Sequence, residues 1–426
     1  MRKQISPAGS VSGAIQLPGD KSISHRYAML AAIAEGPSKI SNYSSGADCQ
    51  STLACVGALG AASETKDDVV CIHGRGLDGL REPSAALDAG NSGSTIRMLS
   101  GILAAQPFRS MIGGDESLSK RPMQRIMQPL AQMGALIEAR EDRFPPLMIH
   151  GAKLHPIEYA LPVASAQVKS CVLLAGLFAD GRTTVHEPLR TRDHTELALR
   201  EFGADIEVEQ LSITVTGRPK LQGRELRVPG DLSSAAFFLV AALIVPESNL
   251  TIHGVGLNPT RSALLDFLVE MGAQIKILDV TSSGGELIGD VSIRKSRIQG
   301  GLLEKARTAA LIDEIPVLAV LGAASEGGLM VRDASELRVK ETDRIATIAE
   351  NFQRMGLEIH LHQDGFEIPG RQQFHAAEVD SFGDHRIAMA FSIAALAADG
   401  PCSILGADAA SVSFPEFFAT LQRVTE

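Results

Sequence analysis

The chain has 426 residues, 45% of them hydrophobic, no tryptophan and a formal net charge of -10. That length exceeds one ordinary core and suits two domains of about 200 residues, while the acidic balance argues against general nucleic-acid binding, so any basic patch is local. The longest apolar run, Ala235 to Val245, ends at Pro246 and is too short to span a bilayer. No secretory apolar segment follows Met1-Arg2-Lys3, and the five cysteines form neither a metal spacing nor an even framework, which points to reduced thiols in a cytoplasmic protein.

The first element with chemical content is Leu17-Pro18-Gly19-Asp20-Lys21-Ser22-Ile23-Ser24-His25-Arg26, a turn feeding the Ala-rich apolar run Tyr27 to Ala34. Asp20 or Ser22 is placed to cap the free N–H groups of the first helical turn. A helix N-terminus attracts anions, and Lys21 and Arg26 add two full charges beside it. Polar openers of this kind recur before small apolar helical runs at Asn91-Ser92-Gly93, Ser165-Ala166-Gln167, Asp231-Leu232-Ser233, Asp313-Glu314-Ile315-Pro316 and Gly383-Asp384-His385-Arg386. The steps between them run from 66 to 82 residues, so six similar units fill the chain. A second series interleaves, in which a helix ends at Gly and passes into an alternating strand: Gly60, Gly134, Gly203, Gly272 and Gly356, with no clean sixth member. Strands such as Asp205 to Val208 and Gln274 to Ile277 follow, and the pattern is α/β with buried helices and outward-facing sheets.

Val228-Pro229-Gly230-Asp231 repeats Leu17-Pro18-Gly19-Asp20 half a chain later. The two Pro-Gly-Asp sites are natural crossings between three-unit domains, which gives one domain of 21–228 and another of 1–20 plus 229–426, with hinges near 17–21 and 228–232. The first domain offers Lys21, Arg26, Arg97, Arg121, Lys169 and Arg192 as cations, the second Lys340, Arg344 and Arg386. Several also have a bland reading: Arg97 paired with a structural acid, Lys169 exposed on its helix, Arg192 in a surface turn. Glu341 to Asp343 read as the acidic first turn of a helix running through Ile345, which would place Lys340 and Arg344 four apart as like charges unless an anion bridges them. His385 reads equally as a structural histidine, and Asp313-Glu314 as a cap before Pro316.

Taken together, Leu17 to Arg26, Asn91 to Arg97, Arg121-Pro122, Ser165-Ala166-Gln167, Asp313 to Pro316, Arg338 to Arg344 and Gly383 to Arg386 resemble the 5-enolpyruvylshikimate-3-phosphate synthase family, in order and over the whole chain. The resemblance implies a two-domain inside-out α/β barrel, three βαβ-containing units per domain, with helix N-termini facing a cleft between the domains. It implies transfer of the enolpyruvyl group of phosphoenolpyruvate to the 5-hydroxyl of shikimate 3-phosphate, releasing phosphate through a tetrahedral intermediate, in a protein that works as a monomer. Shikimate 3-phosphate would be held by Lys21, Ser22, Arg26, Ser165, Ala166, Gln167, Arg192, Asp313 and Lys340, and phosphoenolpyruvate by Lys21, Gly93, Arg121, Gln167, Arg344 and Arg386. Asp313 would take the hydroxyl proton and Glu341 would give and retrieve the methylene proton, with Lys21 and His385 assisting. Both substrates are small polyanions, so neither nucleic acid nor membrane is implied as a partner, and no metal or organic cofactor is implied.

The chain departs from some members at Arg192 (Tyr there), Ala166 (Ser), Met98 (Pro), Glu336 (Asn) and Val412, where a Lys would add a cation for phosphoenolpyruvate; that position is not carried over. Arg192 and Ala166 resemble the second sequence class of the family. Ligands drawn from both halves imply domains that close on substrate, hinged at Gly19 and Gly230. The rival acceptor is UDP-N-acetylglucosamine, whose transferases carry Lys-Asn where Lys21-Ser22 stands and a loop Cys near residue 115, where this chain has Asp115-Glu116. A nucleotide P-loop does not fit, since Asp20 rather than Lys follows Gly19. A non-catalytic anion-binding repeat scaffold is the alternative from another class, and the acids and bases at Asp313, Glu341 and His385 argue against it.

Overall fold

The computed structural model describes residues 1–425, which fold into two compact units. One comprises Gly19–Val228 together with Ser282–Glu286; the other comprises Met1–Pro18, Pro229–Thr281 and the chain from Leu287 onward. The crossings fall at Pro18/Gly19 and Val228/Pro229, and the short segment Ser282–Glu286 joins the first unit as an addition that the Pro-Gly-Asp sites did not announce.

Five of the six repeats follow one plan. A strand leads to a buried helix, then a parallel strand, a second helix and an antiparallel hairpin. In the repeat opened by Leu87–Asp88, the helix Gly93–Leu103 leads to Arg109–Gly113, and the hairpin Leu136–Arg140 with Phe144–His150 closes a four-stranded sheet in which the hairpin's last strand lies inside and its first at the edge. Glu158–Ala160, Arg182–His186, Ser212–Thr216 and Ile206–Glu209 repeat the arrangement, as do Gly301–Leu303, Leu329–Val331, Gly365–Ile368 and His360–His362.

Two repeats obtain their first strand from elsewhere. Ser12–Gln16 precedes the helix Lys21–Ile33 in sequence but pairs in parallel with Asn249–Gly256, within the second unit. Glu225–Arg227 precedes the helix Leu232–Ile244 but pairs in parallel with Glu35–Ser41, within the first. Gly19 sits at the first of these crossings for a steric reason: a Cβ there would fall 1.8 Å from the Asn42 carbonyl oxygen and 2.8 Å from Val228 Cγ1. The sixth repeat is the odd one. Its sheet has three strands, Glu378–Asp380, Cys402–Leu405 and Arg2–Ile5, so it lacks the hairpin edge that a helix-ending glycine would introduce. The five glycines of the other repeats, Gly60, Gly134, Gly203, Gly272 and Gly356, all have positive φ, as helix-terminating residues do.

The core of each unit is centred on its first helices, with the inner face of each sheet packed onto them. All thirteen residues of Leu232–Ile244 and all twelve of His385–Leu396 are buried, as is almost all of Lys21–Ile33. Helices that are apolar all round can only be stable when enclosed, and their sequences are of that kind. Asp20 caps the first through Ile23 N–H at 2.9 Å, so the cap is Asp20 and not Ser22. Ser165, Asp231 and Asp384 cap theirs in the same way. In two repeats the first residue of the opener is not the cap: Ser92 accepts from Thr95 N–H where Asn91 had been the marker, and Glu314 occupies the cap position after Asp313 without a side-chain cap bond.

Candidate active site

In the first unit, hydrogen bonds tie the openings of three helices together. Arg26 lies one turn into Lys21–Ile33 and is only 3% exposed. Its Nε donates to Thr195 Oγ1 at 2.6 Å, one Nη to Ser170 Oγ at 2.9 Å and the other to the Ser22 carbonyl at 2.8 Å. Every one of these partners is neutral. Among the described residues no carboxylate lies within ion-pair distance of Arg26, and burial pulls its pKa down to about 10 against partial support from Glu196. A buried cation without a counter-ion is costly unless a ligand supplies the missing charge.

Around it stand the other expected residues of this unit. Lys21 Nζ is 2.9 Å from Asp48. Arg192 brings Nη1 to 3.5 Å from Ser22 Oγ, so the polar turn it occupies is directed toward the helix opening. Gln167, one residue into the helix Ala166–Gly176, accepts from Arg97 Nη1 at 2.8 Å and donates to Ser94 Oγ at 3.0 Å. Arg121 donates to Asn91 Oδ1 at 2.8 Å and Ser117 Oγ at 3.1 Å. A Cβ on Gly93 would stand 2.7 Å from Arg97 Nη1 and at ordinary contact distance, 3.5 Å, from Arg121 Nη1, so a side chain there would push the Arg97 guanidinium back. Met98, in the same helix, is fully buried.

The second unit gathers its charges differently. Asp313 Oδ1 is 3.2 Å from Lys340 Nζ and 3.7 Å from Arg344 Nη1, and Arg386 Nη2 is 3.9 Å from Oδ2 while Nη1 donates to the Asp313 carbonyl at 2.8 Å. Arg344, 1% exposed, also meets Asp384 at 2.8 Å and Glu341 at 2.5 Å. Burial alone would lower its pKa, yet Asp384, Glu341 and Asp313 together hold it above the ordinary arginine value. Glu314 is taken up by Ser233 and by Arg261 at 3.4 Å, which explains why it does not cap its own helix. His385 is buried as the first residue of its helix.

Three expectations are corrected here. Glu341 to Asp343 are not a first helical turn: the helix is Arg344–Arg354, capped by Asp343 through Ala346 N–H, and Lys340 lies outside it. Lys340 and Arg344 therefore meet through Asp313, across a loop, and not as helix neighbours. Lys169 is neither an exposed residue nor an anion-facing cation; it is fully buried, with Nζ 2.6 Å from Glu196 and 3.1 Å from Glu187. Cys71, finally, lies with Glu64 and His73 so that their ligand atoms fall within 4.8 Å of one another, on the exposed face of a hairpin. Spacing along the chain gave no sign of that group because Glu64 faces Cys71 across two strands. Ser170 and Thr195, which hold Arg26, also escaped the sequence reading: hydroxyls of this kind have no motif until the helices are packed, whereas Arg97, read there as a candidate cation, donates to Gln167.

The family model of EPSP synthase (3-phosphoshikimate 1-carboxyvinyltransferase) matches residues 5–421. The chain belongs to the EPSP synthase family. A protein of Solibacter usitatus named 3-phosphoshikimate 1-carboxyvinyltransferase is 66% identical over 426 residues, covering all of both chains. One of the same name from Koribacter versatilis is 53% identical, covering 99% of each. Among solved structures, EPSP synthase from Acinetobacter baumannii superimposes with a TM-score of 0.89 at 43% identity, covering 99% of this chain and 98% of that one. Membership of the EPSP synthase family bears out the resemblance drawn from the helix openers, and the two-unit α/β fold is the one it implied.

Proposed function

We infer that the chain transfers the enolpyruvyl group of phosphoenolpyruvate to the 5-hydroxyl of shikimate 3-phosphate. The observation that carries the reading at the level of residues is Arg26, a buried guanidinium whose bonds go only to neutral oxygens. The shikimate phosphate is the counter-ion, with Lys21, Ser22, Ser165, Ala166, Gln167 and Arg192 around it in one unit and Asp313 and Lys340 serving the same substrate from the other. Phosphoenolpyruvate is taken by Lys21, Gly93, Arg121, Gln167, Arg344 and Arg386.

In this mechanism Asp313 accepts the proton of the 5-hydroxyl as its oxygen bonds to the central carbon of phosphoenolpyruvate, and Glu341 delivers a proton to the methylene carbon. Reversal of the second transfer returns that proton to Glu341 while the carbon–oxygen bond to phosphate breaks. Lys21 and His385 offset charge as it develops. We place the enzyme in the cytoplasm, which its five unpaired cysteines support, and take it to act as a monomer, as the family resemblance implies.

Phosphate release from phosphoenolpyruvate, measured with shikimate 3-phosphate and separately with UDP-N-acetylglucosamine, tests the reading. Release only with the first is expected. Release only with the second overturns the acceptor, and silence with both returns the chain to a binding scaffold.

A further inference from the structure

Lys169 is a buried charge that the mechanism does not use. It sits two residues beyond Gln167 with its ammonium fixed between two buried carboxylates, Glu187 and Glu196. Burial raises the pKa of Glu196 despite the opposing pull of Lys169. Buried ion clusters of this kind are weak contributors to stability compared with apolar residues of the same volume. What they can specify is geometry.

The geometry here leads to both arginines that face the shikimate phosphate. Glu187 uses its second oxygen to accept from the Thr191 hydroxyl, and Thr191 is the residue before Arg192. Glu196 follows Thr195 in the first turn of the helix His194–Phe202, and Thr195 is the acceptor of Arg26 Nε and bonds Ser170 at 2.6 Å. One ammonium therefore anchors the strand end at Glu187, which latches the Arg192 turn, and the helix start at Glu196, which presents the hydroxyl that aims Arg26. We propose that Lys169 is a positioning residue that sets Arg26 and Arg192 in common register for the phosphate of the acceptor, acting through Glu187 and Glu196 and touching no substrate. The proposal rests on the assignment of shikimate 3-phosphate as acceptor.

Lys169→Met keeps the length of the side chain and removes its charge, and Thr191→Val cuts only the latch. Steady-state kinetics and calorimetric binding of shikimate 3-phosphate are compared with the wild-type enzyme, with thermal melts to establish folding. The KM and Kd for shikimate 3-phosphate rise about 10-fold or more in Lys169→Met, as for misplacement of a binding group by a fraction of an ångström, and by a smaller factor in Thr191→Val. The KM for phosphoenolpyruvate at saturating acceptor stays within about 2-fold in both. A purely structural lysine lowers the melting temperature and leaves this selective change in KM absent. If Lys169→Met does not fold, Thr191→Val decides: an unchanged acceptor KM in that variant overturns the proposal. Equal weakening of both substrates in either variant also overturns it. A wild-type chain that ignores shikimate 3-phosphate overturns the acceptor reading and the proposal with it, whereas a wild-type chain that binds it, beside variants indistinguishable from it, overturns the proposal alone.

Discussion

Arg26 and Arg344 are both sealed from solvent, one in each unit, and their charges are met in opposite ways. Arg26 is surrounded by hydroxyls and a carbonyl, and burial depresses its pKa. Arg344 is surrounded by Asp384, Glu341 and Asp313, which raise it. The first arrangement leaves a buried positive charge bonded only to neutral oxygens, at the expense of stability. In the second, the charges are matched within the protein once Lys340 and Arg386 on Asp313 are included, three cations against three carboxylates. On the function proposed above, the first unit is prepared to bind an anion, while the second keeps cations and acids in contact, as proton transfer beside a polyanion requires.

The sharpest way to break the contrast is at the carboxylate shared by Lys340, Arg344 and Arg386. Asp313→Asn keeps the shape of that centre but cannot take a proton; kcat is expected to fall about 10²–10⁴-fold, with a much smaller change in acceptor Kd by calorimetry. Near-normal turnover removes Asp313 from the role of base. Next in size is Arg344→Met, which strands three acids around a buried site. Urea unfolding should show a loss of about 3–5 kcal/mol, and a stable variant would mean that the cluster is not self-neutralised. Arg26→Met is the mirror experiment. Its Thr195 and Ser170 partners still bond each other, so unfolding stability stays within about 1 kcal/mol of wild type, while binding of shikimate 3-phosphate weakens by roughly 10–100-fold for a lost charged hydrogen bond. Should Arg26→Met unfold the protein and spare binding, the two units would be alike after all.

The smallest effect is a titration. His25 is buried, with Nδ1 2.7 Å from Thr52 Oγ1, and its pKa lies well below the usual 6.5, first through burial and then through Lys21 and Arg26. The folded state keeps this ring neutral while the unfolded chain protonates it, so the unfolded state binds more protons below about pH 6.5 and stability falls as pH falls through that range. Between pH 7.5 and 5.5 the wild type should lose about 1 kcal/mol more than His25→Gln. Equal losses in the two proteins would show that His25 is not held neutral by the fold.

The helix openers were legible in the sequence because capping is local: Asp20, Ser165, Asp231 and Asp384 each bond an N–H two or three residues away. Helix-ending glycines were legible for the same reason. The Lys340–Arg344 segment was misread as one helix because charge spacing alone does not show that Asp313, nearly thirty residues earlier, is the partner of both. Lys169 carried no signal either. A lysine in a helical pattern reads as surface, and only packing against Glu187 and Glu196 reveals that it lies inside. The cations that would hold the substrates were found, as was Asp313, but Ser170, Thr195, Glu187 and Glu196, which lie behind Arg26 and Lys169, were not.

The exchanged strands bear on how the chain is made. Residues 19–228 are contiguous, and their sheets can be completed while the remainder is still being synthesised, apart from the short contribution of Ser282–Glu286. The first eighteen residues cannot find their places so early. Ser12–Gln16 has no partner until Asn249–Gly256 emerges, and Arg2–Ile5 none until Cys402–Leu405 does. At about 5–20 residues per second that last wait is roughly 20–80 s on the ribosome. Arg2–Ile5 and Ser12–Gln16 are thus made long before the strands they pair with, so during translation their unpaired edges wait longest for a partner.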